Sequence, residues 1–155
     1  MTTQPNEIAR RLADEVEAAH ARLKSISEQR ASEKPSPEKW AFKEILGHLI
    51  DSASNNHQRI VRMQEIRDIG TFRYSQEHWV NAQKYRLEPW ANLVELWYHY
   101  NNHLAHIISR VEPSALSNTC EVGDPRPVSL QHIIEDYLRH VQHHLDQIFD
   151  PQHHK

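Results

Sequence analysis

Cysteine is almost absent from this chain: Cys120 is the one thiol in 155 residues. A lone cysteine excludes an internal disulfide and any cysteine-built metal cluster. Glycine is nearly as scarce, with 3 residues, so tight turns are few and long helices are favoured over a hairpin-rich sheet. No apolar run approaches the roughly 18 residues that a membrane span needs, and mean hydropathy is −0.79. A basic excess is missing too. The 18 Lys and Arg stand against 21 Asp and Glu, a net charge of −3, which argues against a nucleic-acid binder. The polar, acidic stretch Met1–His20 is neither a signal nor a transit peptide. The cytoplasm is therefore the expected compartment. Neither a Gly-rich phosphate loop nor a Ser-His-Asp order signature is found.

What the chain has instead is histidine, 13 of them, on a strongly helical pattern. The length predicts one domain over residues 1–155, and the pattern predicts an all-α four-helix bundle with long crossover connections. The first helix spans about Asn6–Arg30, with Ile8, Leu12, Val16, Ala19, Leu23 and Ile26 at spacings of three and four. A proline-punctuated link, Ser32–Pro37, ends it. It is short enough to make helices one and two antiparallel neighbours. The second spans about Lys39–Asp68. The third opens at Pro89 in its first turn and ends before Pro113. The fourth starts at the N-cap candidate Ser129 and runs to Phe149. Ile69–Glu88 and Glu112–Val128 lack clear periodicity, and connections that long are often functional. The tail 151–155, with His153 and His154, is expected to be disordered.

Bundle cores hold metal sites built from facing helices, so the position of each histidine around its helix matters. At about 100° per residue, His144 falls within about 20° of Tyr137 at the centre of the fourth apolar stripe, and His140 about 60° away. His143 and His132 turn toward solvent. His140 and His144 lie one turn apart, a spacing that suits two imidazoles on one metal. In the second helix His48 sits at the edge of the apolar face beside Ser52, at a height that meets the pair if these two helices run antiparallel. Three neutral imidazoles leave positions open for water or substrate, the usual form of a catalytic site. Zinc suits such ligands, and nickel, iron and copper also accept imidazole. Glu44 and Asp136, each four residues before a candidate ligand, are the expected partners of the free ring N–H groups. His99, His103 and His106 lie off the third stripe and read as surface or pocket-rim residues. A histidine alone on an apolar face is ordinarily a hydrogen-bonded core residue; the level match of three argues for metal.

Two segments resemble a known family. Pro37-Glu38-Lys39-Trp40 followed by Lys43–Ser52, and Tyr137–Ile148 with its His140-Val141-Gln142-His143-His144 core, are similar to the second-helix and last-helix motifs of the DinB/YfiT-like family of metal-dependent enzymes. Tyr74–Trp79 resembles its YfiT-like, bacillithiol S-transferase-like branch. The resemblance implies a four-helix bundle that binds zinc or nickel through three histidines, carried over to His48, His140 and His144. It also implies a homodimer, a small-molecule substrate, and a thiol S-transferase reaction in which a low-molecular-weight thiol attacks an electrophile. Hydrolysis by activated water is the alternative, as is a non-enzymatic metal or small-ligand binding bundle. Pocket-wall candidates are Asn55, Asn56, Trp97 and Tyr100. Tyr137 is expected to fill the core. The loop aromatics Phe72, Tyr74, Trp79 and Tyr85 are expected to seal a bundle end or a dimer contact rather than cover the site. Cys120, without an assignable base, is an ordinary free thiol.

Overall fold

The apolar stripes fold as helices in a computed structural model that describes residues 3–123 and 126–151. In chain order the helices are α1 (Pro5–Lys24), α2 (Glu28–Ser32), α3 (Phe42–Glu65), α4 (Gln76–Gln83), α5 (Trp90–Ser109) and α6 (Leu130–Phe149). Three short strands join them: β1 (Asp68–Thr71), β2 (Thr119–Glu121) and β3 (Val128–Ser129). Of the tail expected to be disordered, 151–155, Pro151 is described and residues 152–155 lie outside the described residues.

Side-chain capping sets several boundaries. The helix expected over 6–30 breaks at Ser25, whose Oγ donates to Arg22 O at 2.7 Å, and restarts after Ser27, whose Oγ accepts from Arg30 N–H at 3.1 Å. α3 is shorter than the expected 39–68 because Glu44 accepts from Ala41 N–H at 3.0 Å and fixes its start. Pro89 is the residue before α5 rather than its first turn. Ser129 caps α6 as its sequence position suggests, accepting from His132 N–H at 3.1 Å.

The bundle is not the simple up-and-down arrangement implied by a short first link. α1 packs on α5 and α6, and α3 on the same two, so α1 and α3 occupy one diagonal and α5 and α6 the other. Contacts give the directions. Leu23, His20 and Glu17 meet Trp90, Glu95 and Tyr98 in reversed order, so α1 and α5 are antiparallel. Glu15 and Arg22 meet Gln142 and Phe149 in the same order, so α1 and α6 are parallel. α3 is antiparallel to α6. The expected antiparallel sense of the first two long helices therefore holds, but they are not neighbours. Residues 25–41, carrying α2, reach across the bundle instead of turning tightly.

The two long connections are structured. Residues 66–89 hold β1, α4 and a 3-10 turn at Tyr85–Leu87; residues 110–129 hold β2 and β3. β1 pairs parallel with β2, and β2 antiparallel with β3. This sheet ties one crossover to the other, and Ser129 ends β3 and caps α6 at once. Asn118 adds a bond to Met63 O at 2.6 Å, fixing the sheet to the end of α3. One continuous apolar core joins Leu12 and Val16 of α1, Leu46 and Leu49 of α3, Trp97 and Leu104 of α5, and Ile134 and Val141 of α6. Among the described residues no helix is long and apolar enough to cross a membrane.

Candidate metal centre

α3 and α6 bring three imidazoles together. His48 Nε2 and His140 Nε2 are 3.1 Å apart. Ring centroids are 5.0 Å apart for His48 and His140, 4.6 Å for His48 and His144, and 4.5 Å for His140 and His144. One nitrogen from each lies within 4.8 Å of the others, a group that could hold a metal ion. Two nitrogens bound at about 2.05 Å in tetrahedral geometry are about 3.3 Å apart. The His48–His140 separation matches that edge.

The surroundings favour neutral rings with inward lone pairs. His48 is 1% exposed, while His140 and His144 are part-buried. Burial first, then the neighbouring His144 and His140, push the His48 pKa down to about 3. Burial and then His144 push His140 down to about 4, against the opposing field of Asp136. His144 Nδ1 lies 2.8 Å from Gln147 Oε1, an acceptor, which places the proton on Nδ1 and makes Nε2 the acceptor nitrogen. His140 Nδ1 is 3.3 Å from Ser52 Oγ. His48 Nδ1 is buried without a partner. Three imidazoles with converging nitrogens, His48 and His140 held neutral by burial, suit a divalent cation, so the donor set fits.

The expected carboxylate partners are placed elsewhere. Glu44 accepts from Ala41 N–H and pairs with Lys34 at 3.7 Å, so it serves the helix start and does not reach His48. Asp136 pairs with Arg139 at 3.3 Å and affects His140 only through its field. Gln147, three residues after His144, and Ser52 take the positions expected of the acids. The i, i+3 spacing of Gln147 was available in the sequence.

A polar cavity of about 190 Å³ opens beside His140; Ser52, Asn56, Arg59, Tyr74 and Tyr137 are among its lining residues. Of the pocket-wall candidates only Asn56 lines it. Asn55 turns back to donate to Asp51 O at 2.9 Å. Trp97 is fully buried in the core. Tyr100 lines a separate groove with His57, its hydroxyl 2.7 Å from His57 Nδ1. Trp97 and Tyr100 belong to α5, diagonal to α6, which keeps them off the cavity. Tyr137 fills the core and donates to buried Asn101 Oδ1 at 2.5 Å. Contrary to expectation, the aromatic crossover does cover the site through Tyr74. Tyr85 lies against α3 instead, where a Cβ on Gly47 would come within 2.1 Å of its ring. Its hydroxyl donates to buried Asp51 at 2.5 Å. Cys120 is buried and its pKa is raised, first by burial. His99, His103, His106, His132 and His143 are exposed.

Comparison with known proteins gives a consistent result. The family model described as the DinB superfamily matches residues 6–148. Among solved structures, YfiT from Bacillus subtilis matches with a TM-score of 0.82 at 15% identity, over 94% of this chain and 84% of that one. YfiT is described as a probable metal-dependent hydrolase with an unusual four-helix bundle topology. The likeness speaks for the fold. No curated protein matches the chain.

Proposed function

The chain belongs to the DinB superfamily, and from that premise we propose that it is a divalent-metal-dependent enzyme acting on a small molecule. The observation that carries this reading is the convergence of His48, His140 and His144, with His140 also lining a cavity. Zinc or nickel is the proposed ion. Bound there, it supplies Lewis-acid chemistry that lowers the pKa of a nucleophile, a low-molecular-weight thiol or water.

The protein's own contribution is orientation and desolvation. Gln147 fixes the tautomer of His144, and Ser52 steadies His140. Tyr74 and Ser52 narrow the approach to His140 and restrict bulk water. The proposed reaction, following the resemblance of the helix motifs, is substitution at an electrophilic carbon. The thiol loses its proton to solvent, its sulfur bonds to that carbon, and the leaving group, halide for a haloalkyl electrophile, departs with the bonding pair. Hydrolysis is the second reading, favoured by the description of YfiT. A homodimer in the cytoplasm is proposed with it, for which sedimentation of the untagged protein is the direct measurement.

The experiment uses untagged protein loaded with zinc or nickel. A haloalkyl electrophile with added cysteine reports thiol transfer, and an activated ester without thiol reports hydrolysis. About one ion per chain and thiol-dependent turnover are expected, both lost in the His48→Ala, His140→Ala, His144→Ala triple variant. Unchanged metal content in that variant would eliminate the site. Ester turnover without thiol dependence would select hydrolysis, and bound metal without either activity would leave a binding protein.

A further inference from the structure

Besides Arg59 and His48, α3 carries three buried ionisable side chains. Lys43 pairs with Glu28, and Glu44 with Lys34 and the Ala41 N–H. Asp51 accepts from neutral Tyr85 and Gln83 and leaves Oδ2 without a partner, but burial pushes its carboxyl pKa up, so it can take a proton and lose its charge. Arg59, 7% exposed, is different. Its Nη1 donates to Asn56 Oδ1 at 3.2 Å and its Nη2 to Phe72 O at 2.6 Å, both neutral acceptors. Its Nε–H is buried without a partner. None of the ion pairs among the described residues includes it. The Phe72 and Tyr74 rings, 5.1 and 5.9 Å from the guanidinium carbon, offer a weak substitute. A guanidinium cannot shed its charge by deprotonation, and buried charges are ordinarily paired.

Arg59 lines the same cavity as His140. The acid on that cavity, Asp136, is exposed and held by Arg139. His48, Ser52, Asn56 and Arg59 form one stripe of α3, linked by hydrogen bonds from His140 through Ser52 and Asn56 to the guanidinium. About 10 Å of helix rise separates Ser52 from Arg59. We infer that the cavity takes an anionic small molecule whose carboxylate is held by Arg59 while its other end is presented to His140. Arginine suits a carboxylate because its planar fork matches the two oxygens. This deepens the proposed function and rests on the three-histidine cluster as the reaction centre, but the carboxylate subsite can be tested without metal.

The test titrates succinate into metal-free, isotope-labelled protein and follows the Arg59 Nε–H resonance with the Ser52 and Asn56 amides. Sodium chloride at equal ionic strength is the control. A saturable shift at these three positions is expected; read at the Ser52 and Asn56 amides, it is at least tenfold weaker in affinity in Arg59→Lys and absent in Arg59→Gln. Where the glutamine variant fails to fold, the lysine variant decides, since it keeps the charge and loses the fork. No saturable shift, an equal response to chloride, or unchanged affinity in Arg59→Lys would overturn the subsite. Zinc content of the same preparations separates the two ideas. Zinc bound without a succinate response overturns the subsite and leaves the centre standing; a succinate response without zinc binding does the reverse.

Discussion

Two groups of histidines face different fates in this molecule. His48, His140 and His144 converge between α3 and α6, buried or part-buried, with nitrogens aimed at one another. His57, His103 and His106 also meet across a helix pair, α3 and α5. There His57 lies 5.5 Å from His103, ring to ring, and His103 lies 6.4 Å from a roughly parallel His106. Both outer rings are exposed, and His57 gives its Nδ1 to Tyr100. Number and proximity are alike in the two groups. Convergence of acceptor nitrogens and deeper burial distinguish the first, because desolvation keeps His48 and His140 neutral and ready for a cation.

The sharpest way to break this contrast is to delete each group. Removing His48, His140 and His144 together should abolish high-affinity zinc binding, a loss of more than about 100-fold, in a chelator competition. Replacing His57, His103 and His106 by Ala should leave it unchanged. A reversal of the two results would overturn the assignment of the centre.

Acid should separate the groups next. In the unfolded chain a histidine titrates near 6.5, whereas His48 and His140 are held down to about 3 and 4 in the fold. As pH falls below about 6.5 the unfolded chain takes up protons first, so stability is lost progressively from there to about pH 4 for His140 and about pH 3 for His48. The slope is at most about 1.4 kcal/mol per pH unit for each such histidine. Chemical denaturation of metal-free protein should record it, and His48→Gln should flatten it. Bound zinc should be released over the same window, since the ligands must be neutral.

Two smaller effects refine the picture. Gln147→Leu removes the acceptor that holds His144 and should weaken zinc about tenfold or more, whereas Gln64→Leu, on the outer part of α3, should not. Gly47→Ala would drive a methyl group into the Tyr85 ring. It should destabilise the fold by about 1–3 kcal/mol, read as a lower melting temperature with the zinc stoichiometry kept.

The helix faces were legible in the sequence because a 3.6-residue period places side chains directly. His140 and His144 are close in sequence, and His48 needed only the antiparallel sense of α3 and α6. The diagonal placement of α1 and α3 was not legible, since a link of that length can turn back or reach across. β1, β2 and β3 are too short for alternation to register, and β1 depends on a partner about fifty residues away. Trp97 and Tyr100 were misplaced for the same reason: which helix α5 faces is a property of the packing. Arg59 was silent because a buried arginine and a solvated one look alike until the neighbouring carboxylates are known.

His48 and His140 stand 92 positions apart, with both crossovers between them. An ion gripping the two ends of that span would act as a removable clasp on a very large loop. Closing a loop of that length costs on the order of 4 kcal/mol in chain entropy, and a clasp that holds only the folded form draws the equilibrium toward it. Cofactor supply would thus govern the survival of the scaffold along with its chemistry, and a fragment ending before α6 would have nothing to fasten.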